Sequence, residues 1–169
     1  YESERNGTAH LFLMFEPLAG RRHVKVTERR TAVDYAHAVR ELVDVHYPQA
    51  RTIVLVQDNL NTHKPASLYE AFPPEEARRI ITKLEIHYTP KHGSWLDMAE
   101  TELSVLSRQC LDRRIPDQPT LTTEVGTWEI NRNEAGCTVN WQFTTADARI
   151  KLRRLYPVIE PVNSAVVDH

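Results

Sequence analysis

Apolar residues in this chain fall into short unbroken runs and into helical stripes, and the two alternate. Residues 10–16 carry the run Leu11, Phe12, Leu13, Met14 and Phe15, and residues 22–27 alternate with Val24 and Val26 inward. Both read as strands, and the turn residues Pro17, Leu18, Ala19 and Gly20 between them predict a hairpin. Thr31 with Asp34 three positions later forms a capping-box pattern. Behind it Ala32, Ala36, Val39, Leu42, Val43 and Tyr47 recur at helical spacing, up to the stop at Pro48.

The centre of the chain is the stretch 51–63. Ile53, Val54, Leu55 and Val56 form a run of branched apolar residues, the mark of a strand buried on both faces of a parallel sheet. It ends in Gln57, Asp58, Asn59, Asn61, Thr62 and His63. In open α/β sheets ligands bind beyond the carboxyl ends of strands. For an isolated Asp-Asn pair, however, a turn or a helix cap is the commoner role. A short helix over 66–72 follows, then a helix opened by Pro74, Glu75 and Glu76, whose proline and acids suit an N-terminus. Residues 85–88 read as a strand parallel to the central one. A polar loop, 89–94, leads into the clearest helix, 95–114, with Leu96, Ala99, Leu103, Leu106 and Cys110 on one face. Asp97, Glu100 and Glu102 lie on this helix; Glu100 and Glu102 fall on opposite edges of its apolar stripe, and the wheel alone does not choose between them.

Beyond Pro116 and Pro119 the pattern predicts a helix over 121–133 containing Trp128, then an extended piece over 138–144. A basic helix opened by the stretch Thr-Thr-Ala-Asp runs to Leu155, and the last residues, 158–169, read as a frayed tail. Trp128, Trp141 and Phe143 are expected to pack this extension onto the core. One domain over 1–157 results, with a core at 9–115 and a helical extension at 116–157.

Composition narrows the classes. With 169 residues and 41% hydrophobic content the chain can build one sizeable core, and no apolar run reaches membrane-spanning length. A formal charge of −2 and a pI near 6.5 argue against a dedicated nucleic-acid-binding module, not against an enzyme that meets DNA through local basic patches. Cys110 and Cys137 make neither a disulfide framework nor a zinc site and point to a reducing compartment. No HExxH, CxxC, P-loop or dinucleotide fingerprint occurs. A Ser94, His92, Asp58 triad lacks the nucleophile-elbow context around Ser94. Two carboxylates delivered beyond neighbouring strand ends suit a hard divalent cation with oxygen ligands.

Val54-Leu-Val-Gln-Asp-Asn-Leu-Asn-Thr-His63 and Tyr88-Thr-Pro-Lys-His-Gly-Ser-Trp-Leu-Asp-Met-Ala-Glu100 resemble the catalytic core of DDE transposases, in the bacterial insertion-sequence branch of the mariner superfamily. Phe15-Glu-Pro-Leu-Ala-Gly20 and Asn140-Trp-Gln-Phe-Thr144 share the likeness, which therefore spans nearly the whole chain. The resemblance implies an α/β, RNase H-like mixed sheet flanked by helices, and Mg²⁺- or Mn²⁺-dependent cutting and joining of transposon-end and target DNA. It implies no small-molecule cofactor, no membrane partner, and a cytoplasmic, nucleoid-associated setting. It makes Asp58 and Glu100, 42 positions apart, the second and third catalytic acids and metal ligands. Asn59, His63 and His92 become supporting residues, and Lys91, Arg21 and Arg22 the DNA-contacting cations. The family's first acid lies on a strand ahead of the hairpin, and these 169 residues do not supply it; Glu2 and Glu4 precede the hairpin in a polar lead-in and do not take the role. Two expectations follow: a sheet lacking its first strand, with a gap between hairpin and central strand that favours self-association, and a site incomplete for catalysis. Two other readings stand beside this one, a non-catalytic remnant that dimerises or binds DNA weakly, and a phosphoesterase using Asp58, His63 and His92.

Overall fold

The computed structural model describes residues 6–58, 62–88, 96–136, 143–153 and 166–167. Strand β1 (Asn6–Glu16) and strand β2 (Arg21–Thr27) form the expected antiparallel hairpin. Its turn closes with the Gly20 amide donating to the Pro17 carbonyl, and Gly20 takes a φ of 66°, where a side chain would be strained. Helix α1 (Ala32–Glu41) begins at Thr31 with both halves of the capping box in place, then runs into a π-helical turn, Leu42–His46. The central strand β3 (Ile53–Gln57) follows. Helices α2 (Ala66–Ala71) and α3 (Pro74–Thr82) lead to β4 (Leu84–Tyr88), which pairs parallel to β3. Helix α4 (Leu96–Leu106) ends in a second π-helical turn, Ser107–Leu111, and α5 (Gln118–Ala135) closes on Gly136 in the left-handed region.

The sheet order is β2-β1-β5-β3-β4, an RNase H-like mixed sheet flanked by helices. Strand β5 (Phe143–Arg153) lies antiparallel to β1 and parallel to β3, in the place where a strand preceding the hairpin would sit. Two expectations are corrected here. The stretch predicted as a helix to Leu155 is a strand, Phe143–Arg153, and that strand fills the gap expected between hairpin and central strand. The physical reason lies in period and pairing. Ala146, Ala148, Ile150 and Leu152 alternate with Asp147, Arg149, Lys151 and Arg153, and β1 offers backbone partners along its length while Leu55 and Val56 of β3 pair with the first residues of the strand. A two-residue strand β6 (Val166–Val167) pairs with β5 inside the stretch expected to be frayed.

Strand β1 is buried on both sides, which is why its run is unbroken rather than alternating. Leu11, Leu13 and Phe15 enter one core with Ala99, Leu103 and Leu106 of α4 and Leu121, Val125 and Trp128 of α5. Phe12 and Met14 enter the other with Tyr35, Val39 and Leu42 of the α1 segment, Leu55 of β3 and Ile80 of α3. Each fully buried leucine here contributes roughly 2 kcal/mol of transfer free energy. The free edge of β2 is covered by side chains of α5: the Val24 amide donates to Glu129 Oε1 at 2.7 Å, and the Arg22 amide to Asn133 Oδ1 at 2.8 Å. Capping an edge strand in this way blocks pairing with another chain. No helix among the described residues is long and apolar enough to cross a membrane.

Candidate active site at the end of the central strand

Burial of β3 on both faces fixes its course, so the residue leaving its carboxyl end is held by a rigid element. That residue is Asp58, 8% exposed. His63 Nδ1 lies 2.8 Å from Asp58 Oδ1; since a carboxylate only accepts, the ring donates and its proton sits on Nδ1. The imidazole is 3% exposed and stacked on Tyr35, with ring centroids 4.7 Å apart and planes inclined by 17°. Phe12 borders it at 6.3 Å.

A buried network fixes the two ends of the connecting loop. Gln57, with no exposed surface, donates from Nε2 to the His63 carbonyl at 2.7 Å and accepts from the Tyr35 hydroxyl at 2.7 Å. The Tyr88 hydroxyl, from the neighbouring parallel strand, donates to the same His63 carbonyl at 3.3 Å. Burial pushes both tyrosine hydroxyls up in pKa, so each remains a donor across the physiological range. The sequence pattern singles out none of Tyr35, Gln57 and Tyr88. An apolar run ending in glutamine is the only local signal, and it does not reveal a partner 22 positions away.

The other expected site residues fare differently from one another. Glu100 sits half-buried on α4, which packs against β5 and β1. Asn59, Lys91 and His92, together with Trp95, lie outside the described residues. Arg21 is exposed at the hairpin, its guanidinium 5.6 Å from the Tyr47 ring centroid. Arg22 corrects the expectation of a DNA-contacting cation. It has no exposed surface, and its Nε lies 3.0 Å from Glu102 Oε2. Arg132 of α5 reaches the same carboxylate, Nε to Oε2 at 2.7 Å and an Nη to Oε1 at 3.2 Å. The alternation of β2 turns Arg22 toward α4, away from solvent, where a charge persists only when paired. Glu102, the rival to Glu100 in the helical wheel, has both oxygens engaged by arginines.

Oxygen donors at Asp58 and Glu100 have the chemistry that Mg²⁺ or Mn²⁺ requires, and the His63 contact engages Asp58 Oδ1, with no hydrogen bond to Oδ2 among the described residues. Among the described residues no three His, Cys, Asp or Glu side chains gather in an arrangement that would hold a metal. A cavity of about 390 Å³ between α5 and the end of α4 is lined by Gln109, Arg113, Trp128 and Arg132 among others, and none of its lining residues belongs to β3 or the loop after it.

A family model described as DDE superfamily endonuclease matches residues 1–122. No curated protein and no solved structure matches the chain.

Proposed function

We propose that this chain, which belongs to the DDE superfamily of endonucleases, is the catalytic-domain portion of a DNA transposase that cuts and joins DNA strands by metal-dependent phosphoryl transfer. The observation that carries the reading is Asp58 at the carboxyl end of β3, its carboxylate oriented by a buried His63 at 2.8 Å. Asp58 and Glu100 are the ligands that would hold Mg²⁺ or Mn²⁺. Bound there, such an ion supplies activation of a nucleophile and stabilisation of the leaving oxygen. His63 holds Asp58 in one rotamer, and outer contacts of this kind are worth roughly 10- to 100-fold in metal affinity. Arg21, Lys91 and the supporting residues Asn59 and His92 belong to the same reading, with transposon-end and target DNA as substrates.

Two carboxylates bind a divalent ion weakly, and a two-ion site needs a further bridging ligand. The 169-residue chain is therefore expected to bind Mn²⁺ weakly and to nick supercoiled plasmid little or not at all. Incubation with plasmid and Mn²⁺ beside an Asp58→Asn control tests this. Robust nicking abolished by the substitution would show a complete site and refute its incompleteness. The rival reading, a remnant that only dimerises or binds DNA weakly, requires Mn²⁺ affinity that neither Asp58→Asn nor Glu100→Gln alters.

A further inference from the structure

The buried charges beside α4 bear on how Glu100 is presented, and this step rests on the ion-site reading above. Glu102 is 3% exposed and Arg22 not at all. Arg22 cannot shift alone: Asn133 of α5 accepts from its amide at 2.8 Å and from its guanidinium at 3.0 Å, and donates to its carbonyl at 2.9 Å. Arg132, one position earlier on α5, closes on Glu102 with two nitrogens in the fork geometry a guanidinium offers to a carboxylate. The hairpin, α4 and α5 thus meet at a single carboxylate.

Glu102 follows Glu100 by two positions on α4, about 200° round a helix of 3.6 residues per turn. Clamping Glu102 therefore fixes the azimuth at which Glu100 leaves the same helix. With side chains reaching about 5–6 Å from the axis, a rotation of α4 by about 20° would displace the Glu100 carboxylate by about 2 Å. A displacement of that size exceeds what an ion site tolerates, since ligand distances must hold to about 0.2 Å.

We propose that Arg132 is a positioning residue for the Glu100 carboxylate, acting through Glu102 with Arg22 as the opposing clamp. Arg132 lies beyond the matched residues 1–122, so the inference makes α5 a working part of the ion site.

The test is Mn²⁺ binding to the whole chain, followed by electron paramagnetic resonance, with melting temperature measured on the same samples. Arg132→Gln is expected to weaken Mn²⁺ binding roughly tenfold, in the range of outer-shell contacts. Glu102→Gln should do the same, and Arg132→Lys should recover part of the loss. Glu129→Ala is the control: it removes the acceptor of the Val24 amide, a contact from α5 to the β2 edge outside the Glu102 carboxylate, and should lower the melting temperature while leaving Mn²⁺ affinity unchanged. Should Arg132→Gln fail to fold, Glu102→Gln carries the comparison. If the folded Arg132 and Glu102 variants bind Mn²⁺ like the parent, or if Glu129→Ala weakens binding as much as they do, the positioning role is overturned. If Asp58→Asn and Glu100→Gln leave the parent's binding unchanged, or the parent binds no Mn²⁺, the ion-site reading itself fails and takes this inference with it.

Discussion

Two carboxylates of this molecule sit at buried places beside cationic or donor side chains, and they are built to opposite ends. Asp58 stands at the exit of β3 with Oδ1 against the His63 ring, and among the described residues its second oxygen carries no hydrogen bond. Glu102 stands on a helix face with both oxygens taken by Arg22 and Arg132. Burial does not separate them, at 8% and 3% exposure. What separates them is unspent coordination. A carboxylate saturated by guanidinium groups is a structural tie, whereas one oriented by an imidazole N–H keeps capacity for an ion.

That contrast predicts opposite responses to mutation, and the largest effect belongs to Glu102. Glu102→Leu leaves Arg22 buried without this counter-charge, and breaking a buried pair typically costs about 3–5 kcal/mol. At roughly 2–4 °C per kcal/mol for a domain of this size, the melting temperature should fall by about 10 °C. Asp58→Asn keeps shape and hydrogen-bonding capacity and should cost about 1 kcal/mol, yet it should remove Mn²⁺ binding. Calorimetry on both variants decides: equal losses of stability would erase the distinction between the two carboxylates.

A second prediction concerns the strand that closes the sheet between these two regions. Ending the chain after residue 142 removes β5 and opens the facing edges of β1 and β3. Such edges pair with other chains, so the shortened protein should self-associate more strongly than the parent. Light scattering during gel filtration reads this directly, and a monomeric truncated protein would mean that β5 does not hold the sheet closed.

Much of this architecture was legible locally. The hairpin, the capping box at Thr31, the parallel pair β3 and β4, and the position of Asp58 all follow from signals close by in the chain. The misreadings were long-range. Arg22 next to Arg21 looks like half of a surface patch, and nothing in the neighbouring sequence announces Glu102, far along the chain on α4. Residues 143–153 carry a helix-cap pattern, Thr-Thr-Ala-Asp, over a period-two alternation. The alternation wins because β1 and β3 provide partners that the local sequence does not show.

Acid should sharpen the comparison by acting on the hairpin at a residue that makes no contact with the Glu102 carboxylate. His23 follows Arg22 but lies on the other face of β2, stacked on His46 with centroids 3.8 Å apart. Burial, then His46 and the neighbouring arginines, lower its pKa to about 3. A histidine depressed below its ordinary 6.5 binds fewer protons when folded. The stability it contributes is therefore complete above about 6.5 and is lost as the pH falls toward 3. The loss should reach on the order of 2 kcal/mol by about pH 4.5. His23→Phe should flatten that part of the pH–stability curve in urea titrations. An unchanged slope would assign the acid sensitivity to carboxylates elsewhere.

The smallest effect supplies the scale for the others. Thr31 caps α1 in a reciprocal pair: the Asp34 amide donates to its Oγ1 at 3.2 Å, and its own amide donates to Asp34 Oδ2 at 2.9 Å. The pair is exposed and lies on the loop entering α1, so it shares no partner with Asp58, Glu102 or their arginines. Thr31→Ala removes one side of the box and should cost about 1 kcal/mol, or roughly 2–4 °C. Because effects at distant, unshared sites add, the double variant Thr31→Ala with Glu102→Leu should lose the sum of the two single changes to within about 0.5 kcal/mol. Mn²⁺ affinity should follow Glu102 alone. A Thr31→Ala protein that lost Mn²⁺ binding as Glu102 variants do would show that any loss of stability loosens the site, and the tie at Glu102 would then have no special connection to Glu100.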